Sequence, residues 1–444
     1  MLFLHQLFNG ICYCKIDLSI HEQMEKSSVY YFFYEGYSGF FAMLYWMDDL
    51  QKKIGGAALL VAGTSIGAGM LALPVATSAS GFFPALCVYF LCWGFMTMTG
   101  YFIAELALKM PEGSNLISMA RCYLGPAGAF ISWALYLFLF YALSTAYISL
   151  GGSLTAGILQ QKIGIGSLLF LVGFGSAVFW GTKFVDRLNF WLMCGLVGSY
   201  LIFLVFGLSR IDYTFLLRAD FSRAFAVFPI IFTAFSYQGT VPSLVSYLDR
   251  NPQAIRKAIF LGTSAVFIVY VLWELLILGM IPYEGVGGLR DAMQAKKSAQ
   301  APLKEMYSTG LLFMAVEGFS FFSIATSFLG VTMGVFDFLA DGLSIKKEGG
   351  GKVALWLLTF LPPMVIASSY PNIFFTALDY AGSFGCAILL GFLPILMVAI
   401  SRFCRKEKAL LYPGFSFPMA ALLLLIIGGL IIRQAIGFIQ HLYY

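Results

Sequence analysis

"GTSIGAGMLALP", residues 63–74, places Gly63, Gly67 and Gly69 within seven residues and ends on Pro74. It lies inside a run from Ile54 to Ala104 that carries no charged residue over 51 positions. Glycine and proline are the residues that open a helix backbone, and an open backbone is costliest where there is no water to satisfy it. The stretch therefore has two readings. Gly63 and Gly67 have the small-x-x-x-small spacing of close helix packing, or the run is an unwound segment lining a cavity. A dinucleotide loop is excluded, because "GAGMLA" follows no strand and opens no βαβ unit.

Composition narrows the setting. The chain has 444 residues, 60% hydrophobic and 11% charged, against roughly a quarter charged in soluble domains. Mean hydropathy is +0.85. The uncharged run alone is long enough for two crossings of about 20 residues, so the chain is expected to be an all-α polytopic membrane protein. The net charge of +5 gives no argument for nucleic acid; in such a chain it is the loop distribution of charge that matters. The cysteines at 12, 14, 87, 92, 122, 194, 386 and 404 form no Cys-x-x-Cys or zinc-type set. His5, His21 and His441 lie outside the expected spans, which argues against haem ligation. No metal or cofactor is expected, and no enzymatic constellation is present. Residues 1–46 are too broken by polar residues to span and lack a clean cleavage site. They read as a disordered or interfacial extension, with the functional chain starting near Met47.

Apolar runs between charged or Pro/Gly-rich breaks give eleven spans, at about 54–81, 85–108, 127–157, 164–180, 188–209, 223–247, 258–281, 308–336, 353–370, 374–400 and 413–437. With the N-terminus inside and counting from Met47, the inner segments hold sixteen Lys and Arg and the outer ones nine. That bias predicts a cytoplasmic N-terminus and a periplasmic C-terminus.

The sixth span repeats the anomaly of the first. "FTAFSYQGTVPSL", residues 232–244, has Gly239 and Pro242 inside an apolar run, and Pro242 follows Pro74 by 168 residues. A glutamate follows each break at nearly the same distance, Glu105 and Glu274, offset by 169. Two matched offsets predict an internal duplication of five spans, 54–209 and 223–400, with one extra helix at 413–437. An odd number inverts the second copy, which is the inverted-repeat architecture of many secondary transporters. There, paired broken helices hold the substrate at the midplane.

Several stretches then resemble the aromatic amino acid permeases, the bacterial tyrosine and tryptophan transporters of the amino acid–polyamine–organocation superfamily. They are "AGTSIGAGMLALP" (62–74), "FTAFSYQGTVPSLVSYLD" (232–249), "TSFLGVTMGVFDFLADGL" (326–343), "YALSTAYISLGG" (141–152) and "TFLPP" (359–363). The resemblance covers about residues 50–437. It implies a five-plus-five inverted-repeat fold in the bacterial inner membrane and proton-driven uptake of an aromatic amino acid, tyrosine before tryptophan. The alternative is a sodium-coupled transporter of other neutral amino acids on the same fold.

Chemistry suggests roles. The backbone N–H groups of Ile66, Gly67, Ala68 and Gly69 suit a substrate carboxylate, since glycine allows close approach. Carbonyls of Phe235, Ser236, Tyr237 and Gln238 suit its ammonium. Phe232, Phe235, Tyr237, Tyr141 and Tyr147 are candidate partners for an aromatic ring. Acidic residues inside spans are functional by default, and Glu105, Glu274, Glu317 and Asp379 qualify. Glu274 and Glu317 read as the deeper two, and Glu105 as equally an interfacial ion pair. In sodium-coupled relatives of the fold, hydroxyls on the eighth span bind the ion, a role open to Ser323, Thr326 and Ser327; in a proton-driven member they hydrogen-bond the unwound backbone.

Overall fold

Proline at the start of a helix costs no hydrogen bond, because the first N–H groups of a helix have no partner within it. That is how this chain uses Pro74 and Pro242. Each opens the second half of a broken crossing, Leu73–Thr77 and Val241–Tyr247. The first crossing runs Asp49–Ser65, unwinds at Ile66 and Gly67, resumes as a 3-10 turn over Ala68–Leu71, and bends by 49°. The sixth, Phe221–Tyr247, has its break between the helix Phe228–Ala234 and the 3-10 turn Gln238–Thr240.

The computed structural model describes residues 49–285, 287–307, 310–370 and 373–443; the expectation of a disordered or interfacial extension at 1–46 falls outside them. Every regular element among the described residues is helical. Ten helices are long and apolar enough to cross a membrane, and the bent first pair makes an eleventh. Outward faces carry exposed Phe130, Trp180, Trp191, Leu217 and Leu425, a surface suited to lipid rather than water. This is an all-α polytopic membrane fold.

Span boundaries move from those expected, for physical reasons. The third span is one continuous run, Leu116–Leu159, kinked where Gly125 takes φ 77° before Pro126. Its start is set by a reciprocal cap between Asn115 and Ser118, so the charged "ARCY" stretch is helix and not loop. The eighth span extends to Leu343, and the ninth is Gly349–Ser369. The tenth runs Phe374–Cys404 with a π-helical stretch at Ala381–Phe392. The last helix is Phe417–Tyr443.

Packing puts both breaks at the centre. The first span lies on the seventh (Pro252–Met280), and the sixth lies on the second (Phe82–Lys109) and tenth. The eighth packs on the third and on the fifth (Thr182–Leu208), and the last helix packs outside on the tenth. The connection between the seventh and eighth spans, expected as a plain outer loop, forms helices Leu289–Gln294 and Gln300–Met306. Its own Leu289, Ala292, Ala299 and Leu303 are buried, and the Ala299 N–H donates to the Leu71 carbonyl at 3.3 Å. The segment therefore folds back over the first break.

Candidate functional site

The two breaks touch. A Cβ built on Gly69 would lie 3.5 Å from Ala234 Cα, an ordinary contact, whereas one on Gly67 would run into the Ser327 hydroxyl. That hydroxyl accepts the Ala68 N–H at 3.0 Å. Gly67 is thus demanded by close approach and not by backbone strain, since its φ of −164° is extended.

Of the four N–H groups expected to face a carboxylate, two are already used. The Ile66 N–H donates to the Ala62 carbonyl at 2.8 Å, and Ala68 is held by Ser327. Those of Gly67 and Gly69 have no acceptor among the described residues, although both glycines are buried. Buried N–H groups are nearly always paired, so an open pair marks a place for an external acceptor. The second break behaves alike. The Tyr237 carbonyl accepts Thr240 N–H at 2.9 Å, and that of Gln238 accepts Val241 N–H. The carbonyls of Phe235 and Ser236 have no donor among the described residues.

The seventh span reads both breaks from one face. The Tyr270 hydroxyl lies 2.6 Å from the Ser65 carbonyl and 2.8 Å from that of Ala234, sharing one proton between the ends of the two half-helices. One turn on, Glu274 is 1% exposed. The Tyr89 hydroxyl donates to its Oε2 at 2.8 Å, and the Thr77 hydroxyl faces its Oε1. Thr77 has a second acceptor, the Leu73 carbonyl at 2.8 Å. Among the described residues no Lys or Arg pairs with Glu274. Phe235 packs edge-on against Tyr89 at 6.3 Å and Tyr270 at 5.0 Å, which makes an aromatic wall between the breaks.

Other candidates go elsewhere. Glu317, expected deep in its span, lies near the start of the eighth and accepts from Gln300 at 3.2 Å and Lys304 at 3.3 Å. It anchors the folded-back segment, so its expected depth in the span is corrected. Glu105 takes the ion-pair alternative. It is fully buried, and Arg402 (2.6 Å), Lys109 (3.1 Å) and the Leu411 N–H (3.2 Å) satisfy it. Next to it, partial burial alone would raise the Glu407 carboxyl, but hydrogen bonds from Ser401 and Tyr123 and the nearby Lys109 hold it below its ordinary value. Asp379 is half-buried and has no ion pair among the described residues.

Tyr237 and Gln238 turn from the breaks into the second span, where Tyr237 Oη and Gln238 Nε2 donate to the Met96 carbonyl at 3.1 and 3.2 Å. Phe232 stacks on Phe228 at 5.0 Å, and Tyr141 donates to Leu358 in the ninth span. The Ser236 hydroxyl donates to its own helix at Thr233, as Thr326 does to Ser323. Tyr147 faces Ser327. The Ser323 hydroxyl, one turn from Ser327, is buried and unpaired among the described residues.

A sequence model of the tryptophan/tyrosine permease family matches residues 50–433. The chain belongs to the tryptophan/tyrosine permease family. This permease is 33% identical to "Tyrosine-specific transport system 1" of Haemophilus influenzae, over 86% of this chain and 96% of that one. It is 31% identical to the "Tryptophan-specific transport protein" of Pseudomonas aeruginosa, over 84% and 92%. To the "Low affinity tryptophan permease" of Escherichia coli K12 it is 29% identical, over 76% and 85%. Sequence reasoning about the permease missed Tyr89, Tyr270 and Thr77. The one usable signal was that Tyr270 stands four residues before Glu274, on the same helix face.

Proposed function

We propose that the chain imports an aromatic amino acid, tyrosine first and tryptophan second, by proton symport across the bacterial inner membrane. The substrate class is supported by the names of its relatives and by the wall of Tyr89, Phe235 and Tyr270. The substrate carboxylate takes the N–H groups of Gly67 and Gly69, where the positive end of the half-helix dipole adds to binding. Its ammonium takes the carbonyls of Phe235 and Ser236. The N-terminus is cytoplasmic and the C-terminus periplasmic.

The observation that carries the coupling reading is Glu274, a buried carboxyl with two hydroxyl partners and, among the described residues, no cation paired to it. A buried charge without a partner is costly, and protonation removes that cost. When Glu274 is ionised, Thr77 and Tyr89 both donate to it. When it is protonated, its O–H donates to Thr77 Oγ, and the Thr77 hydroxyl turns to the Leu73 carbonyl. The proton then rearranges hydrogen bonds on the second half of the first broken span, which leads directly to the Gly67–Gly69 backbone.

The unpaired Ser323 hydroxyl beside the first break favours a second reading, sodium coupling with other neutral amino acids as substrate. Uptake of labelled tyrosine into proteoliposomes under imposed gradients separates the two. Accumulation driven by a proton gradient and competed by tryptophan supports the first; accumulation that follows only sodium, or is competed by alanine and not tryptophan, overturns it.

A further inference from the structure

A cavity of about 370 Å3 opens beside the second break, at the end of the bundle where the second and third spans are joined. Its walls include Tyr136 and Phe140 of the third span, Phe338 of the eighth, and Gly239, Ser243 and Ser246 of the sixth. Phe338 lies 5.9 Å from Tyr136 and 5.7 Å from Phe140, and those two rings are 5.7 Å apart. Trp133 stacks on Phe338 at 5.6 Å and 25° and fixes it from behind. The Tyr136 hydroxyl has no hydrogen-bond partner among the described residues. A Cβ on Gly239 would lie 3.8 Å from it, so the hydroxyl stands beside the second break. The volume falls within the ~300–1,000 Å3 range of small-molecule sites. Rings on one side and hydroxyls on the other match a ligand with one flat apolar end and one polar end.

The glycine N–H groups of the first break do not line this cavity. It therefore offers ring contacts and hydroxyls without the main-chain cradle, and binds the same chemistry less tightly. We propose that it is a second, weaker subsite for the transported aromatic amino acid, occupied between the paired breaks and the open end of the bundle. The proposal rests on the aromatic-substrate reading above.

The test is equilibrium binding of labelled tryptophan to the purified full-length chain. Two classes of site per chain are expected, and Tyr136→Phe and Phe338→Leu each remove the weaker class while the tighter remains. In proteoliposomes of known orientation, both variants raise the KM for tryptophan entering from the cavity end by about three- to tenfold, with the KM from the opposite end unchanged. Phe338→Leu keeps an apolar side chain in the ring cluster. Tyr136→Phe removes only a hydroxyl without a partner among the described residues, so it reports even where Phe338→Leu fails to fold. A single class of site in the unaltered protein overturns the subsite and leaves the transport reading intact, as do variants that shift KM equally from both ends. Protein that binds neither tryptophan nor tyrosine overturns both.

Discussion

Gly67 and Gly69 look equivalent in the sequence, and the structure separates them. Gly67 has the Ser327 hydroxyl where a Cβ would sit, while Gly69 faces the Ala234 backbone at an ordinary distance. Gly67→Ala is expected to displace Ser327, release the Ala68 N–H and abolish tyrosine uptake, whereas Gly69→Ala retains most of it. Initial uptake rates, with membrane insertion checked by immunoblot, decide between them; equal loss in both variants would contradict the contrast. The glycine and proline pattern made the breaks legible in the sequence, because such residues are out of place in an apolar helix. It could not say which N–H groups stay open. That depends on Ser327, 260 residues away from Gly67, and on how closely the eighth span approaches. Nor could it choose Tyr89 among 24 tyrosines, or do more for Tyr270 than put it on the face of Glu274; what sets the two apart is where their hydroxyls end, on Glu274 and on two carbonyls.

Element by element, the two glutamates that follow the breaks have unlike fates. Among the described residues Glu274 meets only hydroxyls, while Glu105 joins the second span to the end of the tenth through Arg402. Removing one partner of a buried pair strands the other charge. Arg402→Ala leaves Glu105 with Lys109 as its one cation among the described residues and should cost up to about 3 kcal/mol, the lower end for a broken buried pair, read as a fall in the thermal unfolding midpoint of the detergent-solubilised protein. An unchanged midpoint would contradict the clasp.

Glu407, held below its ordinary 4.5 by Ser401, Tyr123 and Lys109, adds a pH dependence. A lowered folded-state value contributes stability that is present above 4.5 and is lost as pH falls through the folded value. The unfolding midpoints of the wild type and Glu407→Gln should differ at neutral pH and converge under acid below 4.5. Glu317 shows where hydropathy misleads. Its span was legible, but the folded-back helix bringing Gln300 and Lys304 to it was not, because a short amphipathic segment in a loop leaves no twenty-residue signal.

For the whole molecule, eleven crossings and two central breaks follow from composition and from Pro74 and Pro242. The first span packs on the seventh and the sixth on the second, a reciprocal pairing that supports the five-span inverted repeat we propose. An odd number of crossings puts the termini on opposite sides. Impermeant thiol labelling of single cysteines should find Lys408→Cys in the 405–416 connection reactive only from the cytoplasm, and Lys297→Cys in the folded-back segment reactive only from the periplasm. The reverse pattern would invert the orientation.

On the proposed mechanism a proton on Glu274 drives the paired breaks, and proton flux tests it directly. In proteoliposomes loaded with a pH-sensitive dye, adding tyrosine to the unaltered protein should acidify the lumen. Glu274→Gln should still exchange labelled for unlabelled tyrosine and move no protons. Proton movement that persists in Glu274→Gln, or that is absent from the unaltered protein while tyrosine accumulates, would contradict the account.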